Sequence, residues 1–309
     1  MRAVILALVV ILLLLTGSVP LACGPREVNF PDPELEDAIR DKIGKPEGAI
    51  LPSGLEGLTG IEVKYSDITD LTGLEYCVNL TALWLEGNKV SDIRPLAHLT
   101  KLTTIGLTGG QISDLSPLAS LTNLRMLWLN GNQISDISPL APLNNLTSLV
   151  LNGNQISDIS PLAHLTNLPS LCLDYNQIKD ISSLASLTNL TRLSLGDNQI
   201  TDLSPLAHLT NLTSLSLWGN EITDISPLSS LTNLTDLLLY DNQVTDISPL
   251  TSLMNLRGLQ LDKNQVTDIS PLTSLMSLKI LSLYDNPLSS ASVNIHIPQL
   301  RERGVWVGW

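Results

Sequence analysis

The chain has 309 residues, with 17 Lys and Arg against 30 Asp and Glu, a formal net charge of −13. That balance excludes nucleic acid and an anionic membrane surface as charge-led partners. Hydrophobic residues make up 43% but aromatic ones only 4%, so the core is aliphatic; three cysteines do not make a disulfide scaffold.

Met1-Arg2 is a short basic start, Ala3 to Leu15 an uninterrupted apolar run, and Thr16-Gly17-Ser18 its end. This is the order of a secretory signal peptide, assigned to residues 1–22. The apolar run falls short of the roughly 20 residues that a membrane-spanning helix needs. The segment closes on VPLACG, with small Ala22 before Cys23 and Gly24 after it. It resembles a bacterial lipoprotein signal, which implies lipidation of Cys23. Pro20 departs from that pattern, and ordinary cleavage near Ser18 or Ala22 is the other reading. The expected address is export, as a cell-surface lipoprotein or a secreted protein. Membrane contact is expected only through a lipid at Cys23.

Residues 28–54 read as a helical N-terminal cap. Asp32 is placed to accept the first free N–H groups of a helix, with Pro33 at the first helical position, where no donor is needed. Leu35, Ala38, Ile39 and Ile43 share one face, and Gly44 stops the helix.

From 55 to 286 the chain repeats a 22-residue unit, ten full copies and a partial eleventh, starting at 55, 77, 99, 121, 143, 165, 187, 209, 231, 253 and 275. In the copy LTNLTSLSLWGNEITDISPLSS, which starts at 209, aliphatic residues stand at positions 1, 4, 7, 9, 14, 17 and 20. They are Leu209, Leu212, Leu215, Leu217, Ile222, Ile225 and Leu228. Position 12 is Asn in nine copies, from Asn88 to Asn286, and Gly110 in the third. This spacing is the leucine-rich-repeat pattern. Leu215 and Leu217 alternate with outward residues, as in a strand. Ile225-Ser226-Pro227-Leu228 is too short for a full helix on the return. One copy cannot bury its leucines alone, but stacked copies bury them continuously. The predicted fold is an α/β leucine-rich-repeat solenoid. It has a curved parallel sheet on its concave face, short 3-10 or turn segments on its convex face, and the helical cap. Residues 287–309 leave the period and form a C-terminal cap, with a helical segment near 292–303 split at Pro298 and a last strand Val305–Val307.

The repeat wording closely resembles that of internalin-type bacterial leucine-rich-repeat proteins, over residues 28–309. The resemblance implies the solenoid and a role in adhesion or protein interaction. Pathogen-surface members continue into an immunoglobulin-like domain and a wall-anchoring tail. Neither follows Trp309, so their host-invasion role is not expected here.

No catalytic constellation stands out, so the chain reads as a non-enzyme with no cofactor and no metal. His98, His164 and His208 all hold position 22, two or three repeats apart, too far for one metal site. Cys77 at position 1 should be buried and Cys172 at position 8 exposed, four repeats apart and beyond bridging distance. Asp holds position 16 ten times, from Asp70 to Asp268. Each carboxylate is expected to accept N–H groups of its own tight turn, with a divalent-cation rail as the rival reading. The five N-L-T sequons have a core leucine in the middle and carry no glycosylation argument.

Positions 6, 8, 10 and 11 line the concave sheet, and leucine spacing does not constrain them. Most aromatics gather there: Trp84 and Trp128 at position 8, Trp218, Tyr240 and Tyr284 at 10, Tyr65 and Tyr175 at 11. Only Phe30, Tyr76, Trp306 and Trp309 are expected elsewhere. Exposed aromatics on a polar sheet suggest recognition anchors, and packing of neighbouring rings on each other is the alternative. Trp84 and Trp128 should stand about 10 Å apart over bare Gly106, with room for a ligand between them. Glu86, Asp174, Asp236 and Asp262, with Asp197, Asp241 and Asp285, would favour a ligand with basic groups. The candidate ligand-binding residues are therefore Trp84, Glu86, Gly106, Trp128, Asp174, Tyr175, Trp218, Asp236, Tyr240, Asp262 and Tyr284. The expected partner is another protein, and a glycan or cell-wall polysaccharide is the alternative.

Overall fold

The structure is a computed structural model that describes residues 26–309; the leader at 1–22 and the lipidation expected at Cys23 lie outside the described residues. Helix α1 (Pro33–Ile43) and the single turn α2 (Pro52–Leu55) precede the repeats. Each repeat then contributes one three-residue strand at positions 6–8. These are β1 (Gly60–Glu62), β2 (Ala82–Trp84), β3 (Thr104–Gly106), β4 (Met126–Trp128), β5 (Ser148–Val150) and β6 (Ser170–Cys172). Next come β7 (Arg192–Ser194), β8 (Ser214–Ser216), β9 (Asp236–Leu238), β10 (Gly258–Gln260) and β11 (Ile280–Ser282). With β12 (Trp306–Gly308) they form one 12-stranded parallel sheet in chain order. Short 3-10 turns, the first at Leu74–Tyr76 and the last at Ser270–Ser274, return the chain on the other side. The repeat aliphatics fill the space between and form one continuous core.

Three polar ladders tie the repeats together, and a fourth series of bonds shapes each convex turn. Asn154 at position 12 shows the main one. Its Nδ2 donates to Leu129 O of the preceding repeat (3.1 Å) and to Leu151 O of its own (2.9 Å), while its Oδ1 accepts from Ile134 N–H (3.1 Å). Asn at position 3 donates to a carbonyl of the preceding repeat, as Asn211 does to Thr188 O (2.9 Å). Thr at position 5 does likewise, as Thr213 does to Thr191 O (3.0 Å). These two ladders explain the N-L-T wording. On the convex side all ten Asp of position 16 accept the N–H two residues ahead, as Asp136 does from Ser138 (2.8 Å). That is the turn-forming role. At Gly110 the position-12 rung between the second and third repeats is missing, and the backbone has closed up so that a Cβ there would lie 2.7 Å from Val90 O.

One position is more constrained than the sequence suggests. Position 11 is left-handed in all eleven repeats, in Tyr65, Tyr175, Asp197, Asp241, Lys263 and Asp285 as well as in five glycines. Gly is the unstrained residue there, and Asp tolerates the conformation better than most.

At the N-terminal end Asp32 Oδ1 accepts from Leu35 N–H (3.1 Å), and Gly44 ends α1 at φ 63°. Asp32 Oδ2 accepts from the N–H groups of Thr69 (2.8 Å) and Asp70 (3.2 Å), which fastens the helix to the first repeat. At the other end a π-helical turn, Ser292–His296, runs into α3 (Ile297–Glu302). Pro298 lies in the first turn of α3, where its missing N–H costs nothing, so the break falls one residue before it. The last strand is Trp306–Gly308, one residue later than expected. Arg301 Nη2 donates to Val307 O of this edge strand (2.8 Å), and Arg303 donates to Thr273 O and Leu275 O (2.6 Å each).

Replacing Asn154 with Ala strands a buried N–H and two carbonyls. It should lower unfolding stability by about 3 kcal/mol in urea titration, because each buried polar group left unpaired costs ~1–3 kcal/mol. Acid should act through the convex turns. The N–H groups of Ser138, Ser182 and Ser270 hold Asp136, Asp180 and Asp268 below the usual carboxylate range. A depressed folded pKa gives stability that is present above the unfolded value and lost as pH falls through the folded one. The melting temperature should therefore decline only below about pH 4.

Candidate binding surface

The concave face carries two groups of aromatic side chains. The first is built by β2, β3 and β4, whose register sets Gly106 between Trp84 and Trp128. The expected open slot is closed. The two indoles lean together to 5.0 Å between ring centroids, edge to face at 79°. Trp84 lies flat on Gly106, where a Cβ would come 2.2 Å from its Cε3. Trp128 Nε1 donates to Ser148 Oγ (3.3 Å). Beside the pair is a concavity of about 300 Å³ lined by Lys64, Trp84, Glu86, Thr108, Trp128 and Asn130 among others. Glu86 is engaged within it, accepting from Tyr65 Oη (3.0 Å) and pairing with Lys64 Nζ (3.3 Å). The Tyr65 hydroxyl and Lys64 hold its carboxyl below the usual range.

The second group is central. Trp218 reaches back over Gly196, where a Cβ would meet Nε1 at 2.2 Å. There it touches Tyr175 of the repeat beyond, edge to face at 4.9 Å. On its other side it stacks on Tyr240, 5.3 Å away and within 5° of parallel. Trp218 and Tyr240 are half-buried, and Tyr175 is exposed. The rings do pack on each other, but they pack on top of the sheet and keep free surface.

The acidic residues divide. Asp174 accepts from Ser194 Oγ (2.6 Å) and from Gly196 N–H (2.6 Å), and burial pushes its carboxyl up against those hydrogen bonds. Asp262 repeats this arrangement with Ser282 Oγ and with Tyr284 N–H (2.9 Å). Both side chains bridge to the next repeat and are part of the sheet's own bonding. The signal was in the sequence: an Asp at position 10 with a Ser 20 residues on. Asp236 at position 6 is exposed and bonds Thr235 Oγ1 (2.7 Å). Asp197, Asp241 and Asp285 are exposed on the left-handed column.

Trp306 corrects the expectation that it lies off the face. It pairs with Ile280 across β11 and β12, so it continues the position-6 column. Its ring and that of Tyr284 both cover Gly308. Ile280 and Trp306 are each more than half exposed, at 51% and 56%. The loss of the 22-residue period after 286 hid this end of the face. The same pairing recurs along it: Tyr65 over Gly87, Trp84 over Gly106, Trp218 over Gly196, each Gly 22 residues from its ring in sequence. Glycine in a strand leaves a bare floor, and a neighbouring ring covers it.

Both Cys77 and Cys172 are free thiols, one buried and one half-buried. Burial, with Glu75 nearby, pushes the Cys77 thiol up to about 12. Among the described residues no group of three or more His, Cys, Asp or Glu is placed to hold a metal ion.

The family described as Leucine Rich repeats (2 copies) matches residues 78–120, 122–164, 166–208 and 210–253. Among solved structures the chain is similar to an internalin, InlF, of Listeria monocytogenes. The two are 36% identical with a TM-score of 0.84, over 93% of this chain and 92% of that one. It is also similar to internalin C2 of the same organism, at 37% identity and TM-score 0.52, over 82% and 94%. The functional domain of InlJ, also from Listeria monocytogenes, shares the fold at 24% identity and TM-score 0.77, over 92% of this chain and 62% of that one. No curated protein matches the chain in sequence.

Gly106→Ala should lift Trp84 from its floor and part the indole pair. Near-ultraviolet circular dichroism should lose the signal of the coupled indoles, with a stability loss of about 1 kcal/mol. An unchanged spectrum would show that the pair does not depend on the bare glycine.

Proposed function

The chain belongs to the leucine-rich-repeat family, in its internalin type, and on that premise we propose that it is a protein-binding module whose concave sheet holds one face of a partner protein. The observation that carries this reading is the presence of surface aromatics on a rigid floor. The leucines already fill the core, so Trp84, Trp128, Trp218 and Tyr240 are not needed there. They retain free surface on a sheet whose strands are fixed by ladders on both sides. Large, rigid, half-exposed rings are the side chains that anchor protein interfaces. A rigid, preformed face also loses little conformational freedom on binding.

The glycan reading drew on the exposed concave aromatics and on an open slot between Trp84 and Trp128, and the contact between these two rings removes the slot. Binding, not catalysis, is the role that suits a face whose carboxylates and thiols are held in structural bonds or lie apart. We place the protein outside the cytoplasm, either tethered by a lipid at Cys23 or released.

The test compares the chain with a variant carrying Trp84→Ala, Trp128→Ala, Trp218→Ala and Tyr240→Ala. Both are immobilised and exposed to envelope extract and to a glycan array, after circular dichroism has shown both folded. The intact chain should retain a protein that the variant loses by at least about tenfold, a loss of ~1.4 kcal/mol or more. A captured sugar would replace the protein reading with the glycan one. Retention of the same ligand by both chains would move the site off this face.

A further inference from the structure

The two aromatic groups of the concave face sit in opposite electrical surroundings. At the first, Lys64 brings its own ammonium to Glu86 and to Glu62 (3.2 Å), so a cation of the chain already sits between those two carboxylates. At the second, no ammonium or guanidinium among the described residues is paired with a carboxylate. Burial pushes the Tyr240 phenol up, and the charges of Tyr175, Asp174, Asp241 and Asp197 add to it. Asp174 is engaged by Ser194 and Gly196. Asp197 and Asp241 differ: among the described residues neither side chain has an ion pair or a hydrogen bond. Lys263 follows Asp241 in the same column and is paired with neither Asp241 nor Asp285.

The column supplies a gap as well. Asp197, Gly219 and Asp241 occupy position 11 of three consecutive repeats, all left-handed. The three atoms nearest to a Cβ at Gly219 all belong to Asp197, Cα and N at 3.3 Å and Oδ1 at 3.5 Å, so the Asp197 carboxylate leans over the glycine. Asp241 follows on the other side, with its Cα roughly 10 Å from that of Asp197 at parallel-strand spacing. The indole of Trp218 lies one residue away, held between Tyr175 and Tyr240.

Resting on the reading of this face as the binding surface, we propose that Trp218 with Tyr175 and Tyr240 is the seat of a lysine or arginine side chain of the partner, whose charged head sits over Gly219 between Asp197 and Asp241. The apolar stem of such a side chain lies along the exposed surface of the ring group, and its cation is attracted to an aromatic face that the stack leaves uncovered. A pair of free carboxylates adds charge-assisted hydrogen bonds. The first aromatic group, with its own cation, does not take a second one.

The probe is a short peptide of alternating lysine and alanine, titrated into the chain by calorimetry at physiological salt. Its partner is the same peptide with every lysine acetylated. The lysine peptide should bind, and the acetylated one should bind roughly tenfold more weakly or worse. Trp218→Ala and the double variant Asp197→Asn, Asp241→Asn should each weaken binding about tenfold. Trp218→Phe should retain most of it, and Tyr76→Ala, an exposed ring off the concave face, should leave it unchanged. Thermal melts confirm that each variant is folded. The proposal is overturned if the acetylated peptide binds equally, or if the Asn variant loses binding while Trp218→Ala does not, which is plain charge attraction. It is also overturned if Tyr76→Ala weakens binding as much as Trp218→Ala. The capture experiment separates the two levels. A partner lost by the four-fold variant, together with a silent peptide titration, refutes the cation seat and leaves the concave face standing. A partner retained by that variant refutes both.

Discussion

The buried amide at position 12 is the interaction on which the rest depends. A leucine-rich turn has more backbone N–H and C=O groups than its own three-residue strand can satisfy. Asn154 meets three of them with one side chain, two in its neighbour and one in its own repeat. The amide has a donor end and an acceptor end at fixed separation, so it works at one inter-repeat spacing only. That sets the stack before any leucine has chosen a rotamer. The leucines then supply the driving force, since each buries its side chain between copies that are all alike.

A lattice this regular fixes the concave face as a template. Each outward side chain of a strand has a neighbour at the same height one repeat away. Two aromatic rings in adjacent rows would compete for room. Glycine in the intervening row lets them meet over it, and both Trp84–Trp128 and Tyr175–Trp218 use that solution. The rings are then fixed against a floor, which is what distinguishes a recognition platform from a mobile surface residue. Charge follows the same grid. An Asp at position 10 reaches the backbone of the next repeat and is engaged there by hydrogen bonding, as Asp174 and Asp262 show. An Asp at position 11 leaves the plane with the left-handed turn and remains free.

The fold was legible because period, strand alternation and ladder asparagine all point to one answer, and each repeat repeats the message. The N-terminal helix was legible for a local reason: Asp32, Pro33 and Gly44 are helix punctuation that needs no tertiary context. The concave columns of Trp84, Trp128, Trp218 and Tyr240 were legible too, since strand alternation alone decides which way a residue faces. What the sequence did not show was lean. Whether an indole stands up or lies down depends on the residue 22 places away, and reading that requires the stack to be assembled first. Trp306 was missed for a simpler reason: the irregular helical segment before it breaks the count, and only pairing with Ile280 restores it.

Gly110 gives this solenoid a direction in which to come apart. In a one-dimensional stack, stability is the sum of units and the interfaces between neighbours, so an array divides at its weakest joint. The joint between the second and third repeats lacks its amide rung, and the N-terminal cap with two repeats lies to one side of it. Trp84 is on the near side of this joint and Trp128 beyond it, so their ring contact acts as a clasp across the seam. Anything that grips both indoles closes the seam further. Anything that parts them frees the cap and first two repeats to fray as a separate cooperative segment, while the uninterrupted array from the third repeat onward stays zipped.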